Sequence, residues 1–305
     1  MGGLVIKVGI VGFYEGNGHP FSFSAIMNGY DPERFAEVGW PVIGDYLARR
    51  DPADFGVPEL RVTHAWMPSF DMTRKLCNAC NVATAARDLQ ELVDGVDAVV
   101  IARDDPESHW ELAAPFLQRG IPVFVDKPLA NTTATLAQFE PHLRSGKLMS
   151  CSGMRYAVEL DEPRATLPAY GKLELIRGAL VLDWTHYGMH AIDAILGVAR
   201  LQPIAVTGHH GSHQSVAIDT KEGTVVLIDS LGTVPKLFRF DFVGTSRISS
   251  HDVGDNFSMF RRTLWHFSRM IRTGEPAIDP DHTLKCVRVL IAGQQALEQR
   301  TRVEI

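Results

Sequence analysis

Cysteine is scarce, with four in 305 residues. That is too few for a disulfide framework in a chain of this length and implies a reducing compartment. The one close pair, Cys77 and Cys80, is a lone C-x-x-C at the end of a helix-like stretch, with no second pair to complete a zinc site, and it reads as packing. Basic excess is missing too: the formal net charge is -6 and no block of like charge stands out, which argues against a nucleic-acid partner. No apolar run approaches the roughly 20 residues that span a bilayer. Met1 to Lys7 lacks the basic-then-apolar layout of a signal peptide, so the expected location is the cytoplasm, with no membrane partner. Internal repeats and low-complexity segments are absent as well. What is there is 45% hydrophobic residues, enough for the cores of two ordinary domains.

The apolar pattern alternates strands and helices over the first part of the chain. Val5 to Val11 reads as a strand running into Gly12, with a helix from Ser22 to Asn28. Asp31 to Glu59 is polar and proline-bearing, and its Asp31-Pro32 and Asp51-Pro52 pairs suit helix starts or turns. Then follow a strand over Arg61 to Met67, helices over Asp71 to Asn81 and Leu89 to Val93, a continuous apolar strand over Val96 to Ala102, a helix over His109 to Arg119 and a strand over Val123 to Val125. This rhythm predicts an α/β fold with a doubly wound parallel sheet in a first domain, residues 1–128. A helix from Leu136 stops at Pro141, and Leu148 to Cys151 closes the first sheet.

Beyond Pro128 strands dominate: Leu173 to Leu180, Ile204 to His209, Thr224 to Leu231 and Lys236 to Val243, the last with Phe238, Phe240 and Phe242 on one face. They predict a second domain, residues 129–305, with a large, mostly antiparallel open sheet. Phe257, Phe260, Leu264, Phe267 and Ile271 form a helix stripe stopped by Gly274, and Leu284 to Leu297 is a final amphipathic helix.

Four stretches bear on chemistry. In Ile121 to Ala130, Lys127 follows the carboxyl end of a strand, the edge at which open α/β sheets bind ligands, and Pro128 fixes the backbone there. In Gly9 to Pro20, Gly12, Gly16 and Gly18 allow a tight turn and the close approach of a pyrophosphate to helix N-terminal amides, although they do not spell G-x-G-x-x-G and Glu15 adds a negative charge. The second strand ends in His64-Ala65-Trp66-Met67-Pro68, with neither the acid that holds a ribose hydroxyl nor an arginine for a 2′-phosphate; either Trp66 and Met67 pack on the adenine side or the site has changed its use. In Asp183 to Asp193 a helix puts His186 and His190 on one face, with Asp183 a turn earlier and Asp193 a turn later. Metal ligation without a third fixed ligand, a core or capping role, and an acid/base pair all stay open at this point. His209, His210 and His213 read as surface residues.

Together these residues resemble the Gfo/Idh/MocA family of sugar and inositol oxidoreductases over nearly the full length. Val8 to Gly12 resembles the family's first strand and turn, and Asp97 to Ala102 with His109 its fourth strand. Asp126-Lys127-Pro128 resembles its E-K-P motif with Asp for Glu, Gly153-Met154-Arg155-Tyr156 the segment entering the second domain, and Gly188 to Asp193 its G-x-H-x-x-D helix.

The resemblance implies a Rossmann domain binding NAD or NADP and hydride transfer to or from a hydroxyl or keto carbon of a sugar, cyclitol or related polyol. It makes Lys127 the proton donor or acceptor and His190 the residue that orients the same oxygen, with His186 beside them. Asp126 and Pro128 then flank the cofactor, and Arg155, Tyr156 and Asp183 join the substrate residues. A homodimer or homotetramer through the second sheet follows by the same resemblance. Three departures stand out: His186 occupies the place of a common aspartate, Arg103-Asp104-Asp105-Pro106 replaces a Thr-Pro and brings Arg103 toward the cofactor crevice, and Asp31 to Glu59 is an insertion. A regulatory protein that kept the fold and lost turnover is the rival reading, and a lyase, assisted by metal or by a held NAD, is a third.

Overall fold

The computed structural model describes residues 5–12 and 15–305. Phe13 and Tyr14 of the glycine turn, and Met1 to Leu4, lie outside the described residues. The chain divides into two compact units, the first formed by 1–129, 137–150 and 260–280, the second by 130–136, 151–259 and 281–305.

The first unit is built on β1 (Ile6–Val11), α1 (His19–Asn28), α2 (Pro32–Ala36), α3 (Pro41–Ala48), β2 (Leu60–Trp66), α4 (Phe70–Ala79), β3 (Thr84–Ala85), α5 (Leu89–Gly95), β4 (Ala98–Ile101), α6 (Pro106–Gln118), β5 (Val123–Val125), most of α7 (Thr133–Arg144) and β6 (Leu148–Ser150). Its strands are all parallel in the order β3-β2-β1-β4-β5-β6, the expected doubly wound sheet, and the order reverses between β1 and β4. Val8, Ile10, Val99, Val100, Val123 and Val125 have no exposed surface, as strands covered on both faces require. The insertion is helical, as its Asp-Pro pairs predicted: Asp31 caps α2 through Glu33 and Arg34 amides, and Asp51 caps a 3₁₀ turn over Pro52–Asp54. The return at 260–280 belongs here because Phe260 and Phe267 pack against Phe23 and Phe124, at 5.3 and 5.9 Å between ring centroids.

Two helices differ from expectation. α1 starts at His19, three residues before Ser22, because Pro20 is preset for a first helical turn. α7 passes through Pro141 to Arg144, so the proline removes one amide donor without ending the helix. Cys77 and Cys80 are buried on and just after α4, and burial raises both thiols, Cys77 to about 12, so both stay inert thiols.

The second unit contains α8 (Asp161–Thr166), β7 (Leu173–Leu180), α9 (Trp184–Ala199), β8 (Pro203–His210), β9 (Gln214–Thr220), β10 (Val225–Ser230), β11 (Phe238–Gly244), β12 (Ile248–Asp252), the start of α10 (Asn256–Thr273), α11 (Pro280–Gln299) and β13 (Arg302–Glu304). The strand order is β12-β11-β7-β10-β9-β8-β13, antiparallel except for β10 beside β7. One face holds Ile176, Gly178, Phe240 and Phe242 under α9, where a Cβ on Gly178 would touch Ala191 and Ile195. The other face is open, with Arg177 on Asp229, Arg239 on Asp252, and Ile248 exposed. Among the described residues no helix is long and apolar enough to cross a membrane.

Candidate active site

In the first unit, Lys127 is 4% exposed and sits two residues past the end of β5, where its own amide donates to Asp126 Oδ1 at 2.9 Å. The Lys127–Pro128 peptide is cis. Asp126 is equally buried, and its other oxygen lies 2.5 Å from His19 Nδ1, at the first residue of α1. Burial alone would raise the Asp126 carboxyl, but the His19 imidazole and the Lys127 ammonium outweigh it and hold the group at about 2. The end of β5 is thereby tied to the start of α1.

His109 fastens the same region from below. Its Nε2 lies 2.9 Å from Arg103 O and its Nδ1 3.3 Å from Leu129 O, and burial lowers its pKa, so the neutral ring's single N–H goes to the nearer carbonyl. Arg103 forks onto Asp105, with Nε to Oδ1 at 2.8 Å and Nη2 to Oδ2 at 2.6 Å, so Asp105 already balances its charge.

The turn between β1 and α1 decides whether a dinucleotide fits. A Cβ on Gly12 would stand 2.5 Å from Pro20 Cγ, so only glycine lets β1 meet α1 so closely. Gly16 is at φ +85, and a Cβ built there would meet nothing within 4 Å among the described residues. Asn17 is 3% exposed; its Oδ1 accepts from the His19 amide at 2.7 Å, while Nδ2 has no hydrogen-bond partner among the described residues. An orphaned donor beside the N-terminus of a ten-residue helix suits a pyrophosphate oxygen. Gly18, by contrast, is filled in: a Cβ there would meet Trp40 at 2.8 Å and Ile43 at 2.5 Å, so the insertion packs on that side of the turn. Met67 is buried, its Cε 3.5 Å from the same built position at Gly12, whereas Trp66 stays half-buried at the end of β2. The residues fit the diphosphate half of a dinucleotide.

In the second unit, α9 is set by Trp184. Its indole donates to Leu290 O at 2.9 Å, and Gly188 and Gly293 leave the slot it fills. Asp183 is the N-cap, accepting from the His186 amide at 3.0 Å, and it also holds His186 Nδ1 at 2.8 Å. The His186 side chain is 61% exposed. One turn on, His190 is 7% exposed with Nδ1 2.7 Å from Ser152 Oγ, so the two histidines share a helix side in the sequence but not an environment. Asp193, a further turn on, accepts from the Ser152 amide at 2.7 Å and from Arg155 Nη1 at 3.0 Å, with His282 Nε2 at 2.9 Å. Burial would raise its carboxyl, but Arg155 and His282 hold it below the usual range.

Arg155 is therefore bound to the helix interior instead of offered to a ligand, and Tyr156 beside it is raised by burial. Asp193, His282 and Cys286 bring three ligand atoms within 4.8 Å, but Arg155 Nη1, 2.5 Å from His282 Nε2, already supplies the cation there. The sequence singled out Lys127, His190 and Asp193; it passed over Asn17, His19, Ser152 and His282. A polar residue inside a glycine turn was the signal for Asn17. The other three become visible only when the chain is folded.

Residues 6–147 match the model of an oxidoreductase family with an NAD-binding Rossmann fold, Gfo/Idh/MocA. No curated protein sequence matches the chain. Among solved structures, a probable dehydrogenase from Thermotoga maritima superposes with a TM-score of 0.77 at 14% identity, covering 98% of each chain. Scyllo-inositol dehydrogenase from Lactobacillus casei, with bound NAD(H) and scyllo-inositol, gives 0.75 at 14%, over 98% of this chain and 99% of that one. Myo-inositol 2-dehydrogenase from Lactobacillus plantarum gives 0.75 at 15%, over 99% of both. At these identities the structures establish a common fold from end to end. The matched segment takes in β1 to β5 of the parallel sheet, so over residues 6–147 the chain carries the NAD-binding Rossmann fold of the Gfo/Idh/MocA oxidoreductase family.

Proposed function

We propose that the protein interconverts a hydroxyl and a keto carbon of a sugar, cyclitol or related polyol, using NAD or NADP. The observation that supports it most is Lys127: a lysine withdrawn from solvent at the ligand-binding edge of the parallel sheet, its backbone fixed by Asp126 and Pro128. When bound, the nicotinamide accepts or returns the hydride. Gly12, Gly16 and Asn17 would hold its diphosphate. Lys127 Nζ takes the hydroxyl proton as the carbonyl forms and gives it back in reverse, and His190 orients the reacting oxygen. His186, pinned to Asp183 and exposed, is left out of the proton path. The four cysteines are all buried and form no disulfide among the described residues, which supports a cytoplasmic setting.

The test is a panel of inositols, aldoses and their lactones or ketones with NAD and NADP, read by nicotinamide absorbance. Reduction or oxidation with at least one polyol is expected. A protein that binds the dinucleotide yet turns over no member of the panel would favour the regulatory reading.

A further inference from the structure

Ser152 is wholly buried, at 0% exposure, and its hydroxyl has two neighbours among the described residues. The Met154 amide lies 3.1 Å away and can only donate. His190 Nδ1 lies 2.7 Å away. The hydroxyl carries one proton, and at a fully buried side chain a donor left unused costs the full desolvation of that group. Among the described residues His190 Nδ1 is the one acceptor within reach, so the Ser152 proton goes there. A ring nitrogen that accepts bears no proton, and the neutral imidazole then carries its hydrogen on Nε2.

We infer that Ser152 is a positioning residue that fixes His190 as the Nε2–H tautomer, so that the ring presents a donor to the reacting oxygen. This rests on the oxidoreductase reading only for its consequence, since a donor stabilises charge gathering on a carbonyl oxygen or alkoxide, whereas a bare Nε2 lone pair would oppose it.

The rest of the second unit is arranged to hold Ser152 still. Its amide donates to Asp193 Oδ2 at 2.7 Å, and the other Asp193 oxygen is engaged by Arg155 at 3.0 Å. Gly197, one turn beyond Asp193, leaves the room Arg155 occupies: a Cβ there would lie 3.1 Å from its Nη1. The Tyr187 ring lies against the imidazole, 5.1 Å between centroids, and is itself stacked on Phe238 at 5.9 Å. Within α9 the preceding histidine is committed to Asp183, so the ring is oriented from Ser152, 38 residues earlier in the chain.

The experiment reads the tautomer directly. Full-length protein labelled with nitrogen-15 histidine gives two-bond proton–nitrogen correlations that report which ring nitrogen is protonated, and His190 is the pattern missing from His190→Gln. At a pH where the ring is neutral, wild type is expected to show Nε2–H, Ser152→Ala a mixture of tautomers, and Ser152→Thr, which keeps the hydroxyl, Nε2–H again. In Ser152→Ala kcat should fall roughly a hundredfold with dinucleotide affinity unchanged. A wild-type ring protonated on Nδ1, or a pattern unmoved in Ser152→Ala, overturns the inference. Since the spectra need neither substrate nor NAD, a protein with no polyol turnover but with the expected spectra would remove the oxidoreductase reading and leave the tautomer assignment standing.

Discussion

Lys127→Met should abolish turnover, lowering kcat by about 10²- to 10⁴-fold, while dinucleotide binding survives. Methionine matches the lysine stem in length and suits a site only 4% exposed, so the substitution removes the proton carrier without opening a cavity. The diphosphate contacts proposed for Gly12, Gly16 and Asn17 lie on the β1–α1 turn and do not involve the ammonium. Asp126 keeps His19 as its partner at 2.5 Å, so its charge does not become an orphan and the turn stays tied to β5. Stability should hold or rise slightly, because an ammonium is no longer held out of water. The check is steady-state turnover beside NADH titration of the same preparation. A variant with kcat within tenfold of wild type would refute Lys127 as the proton donor or acceptor.

Asp193→Ala should be the most destabilising single change in the second unit, costing about 3–5 kcal/mol. The carboxylate is 2% exposed and balances Arg155 and His282 while accepting the Ser152 amide. Its loss strands a guanidinium in the interior and orphans a buried N–H, and the two penalties arise at one place. A double change, Arg155→Met with Asp193→Leu, should recover most of the loss, because it removes both charges together. The pH dependence follows from the sign of the shift. Asp193 titrates below an unfolded carboxylate near 3.8, so its contribution is complete above that value and fades as acid reaches its folded range. Asp126, held at about 2, behaves the same way. Urea unfolding of wild type should therefore weaken between pH 4 and about 2, and Asp193→Ala should show a shallower acid slope. A variant within 1 kcal/mol of wild type at neutral pH would show that the network is not structural.

The parallel sheet was legible because β4 and β5 are continuous apolar runs and β1 is nearly so, and Lys127 stood out because a strand ends two residues before it. The second sheet was harder to read. β9 buries Val216, Ile218 and Thr220 in alternation, but the apolar Ala217 between them and the polar Thr220 hide that period in the sequence, and β12, at the sheet edge, has Ile248 as its single apolar residue. β3 and β13 are two and three residues long and have no pattern to detect. His190 was found from its helix, but its partner was not. Ser152 lies in Cys151-Ser152-Gly153-Met154, where nothing in composition distinguishes it, and Asp193 joins Arg155 and His282 across 38 and 89 residues. Pairings of that range are fixed by packing, and the local sequence holds no trace of them.

The altered glycine turn is expected to bind a nicotinamide dinucleotide still. Titrating the purified protein with NADH and with NADPH, watching energy transfer from tryptophan, with Trp66 at the end of β2 as a donor, tests it directly. Saturable binding of at least one, in the ~1 µM to 1 mM range common for enzyme ligands, is the expected result. A folded protein that binds neither would contradict the account and leave the buried Asn17 amide without its ligand.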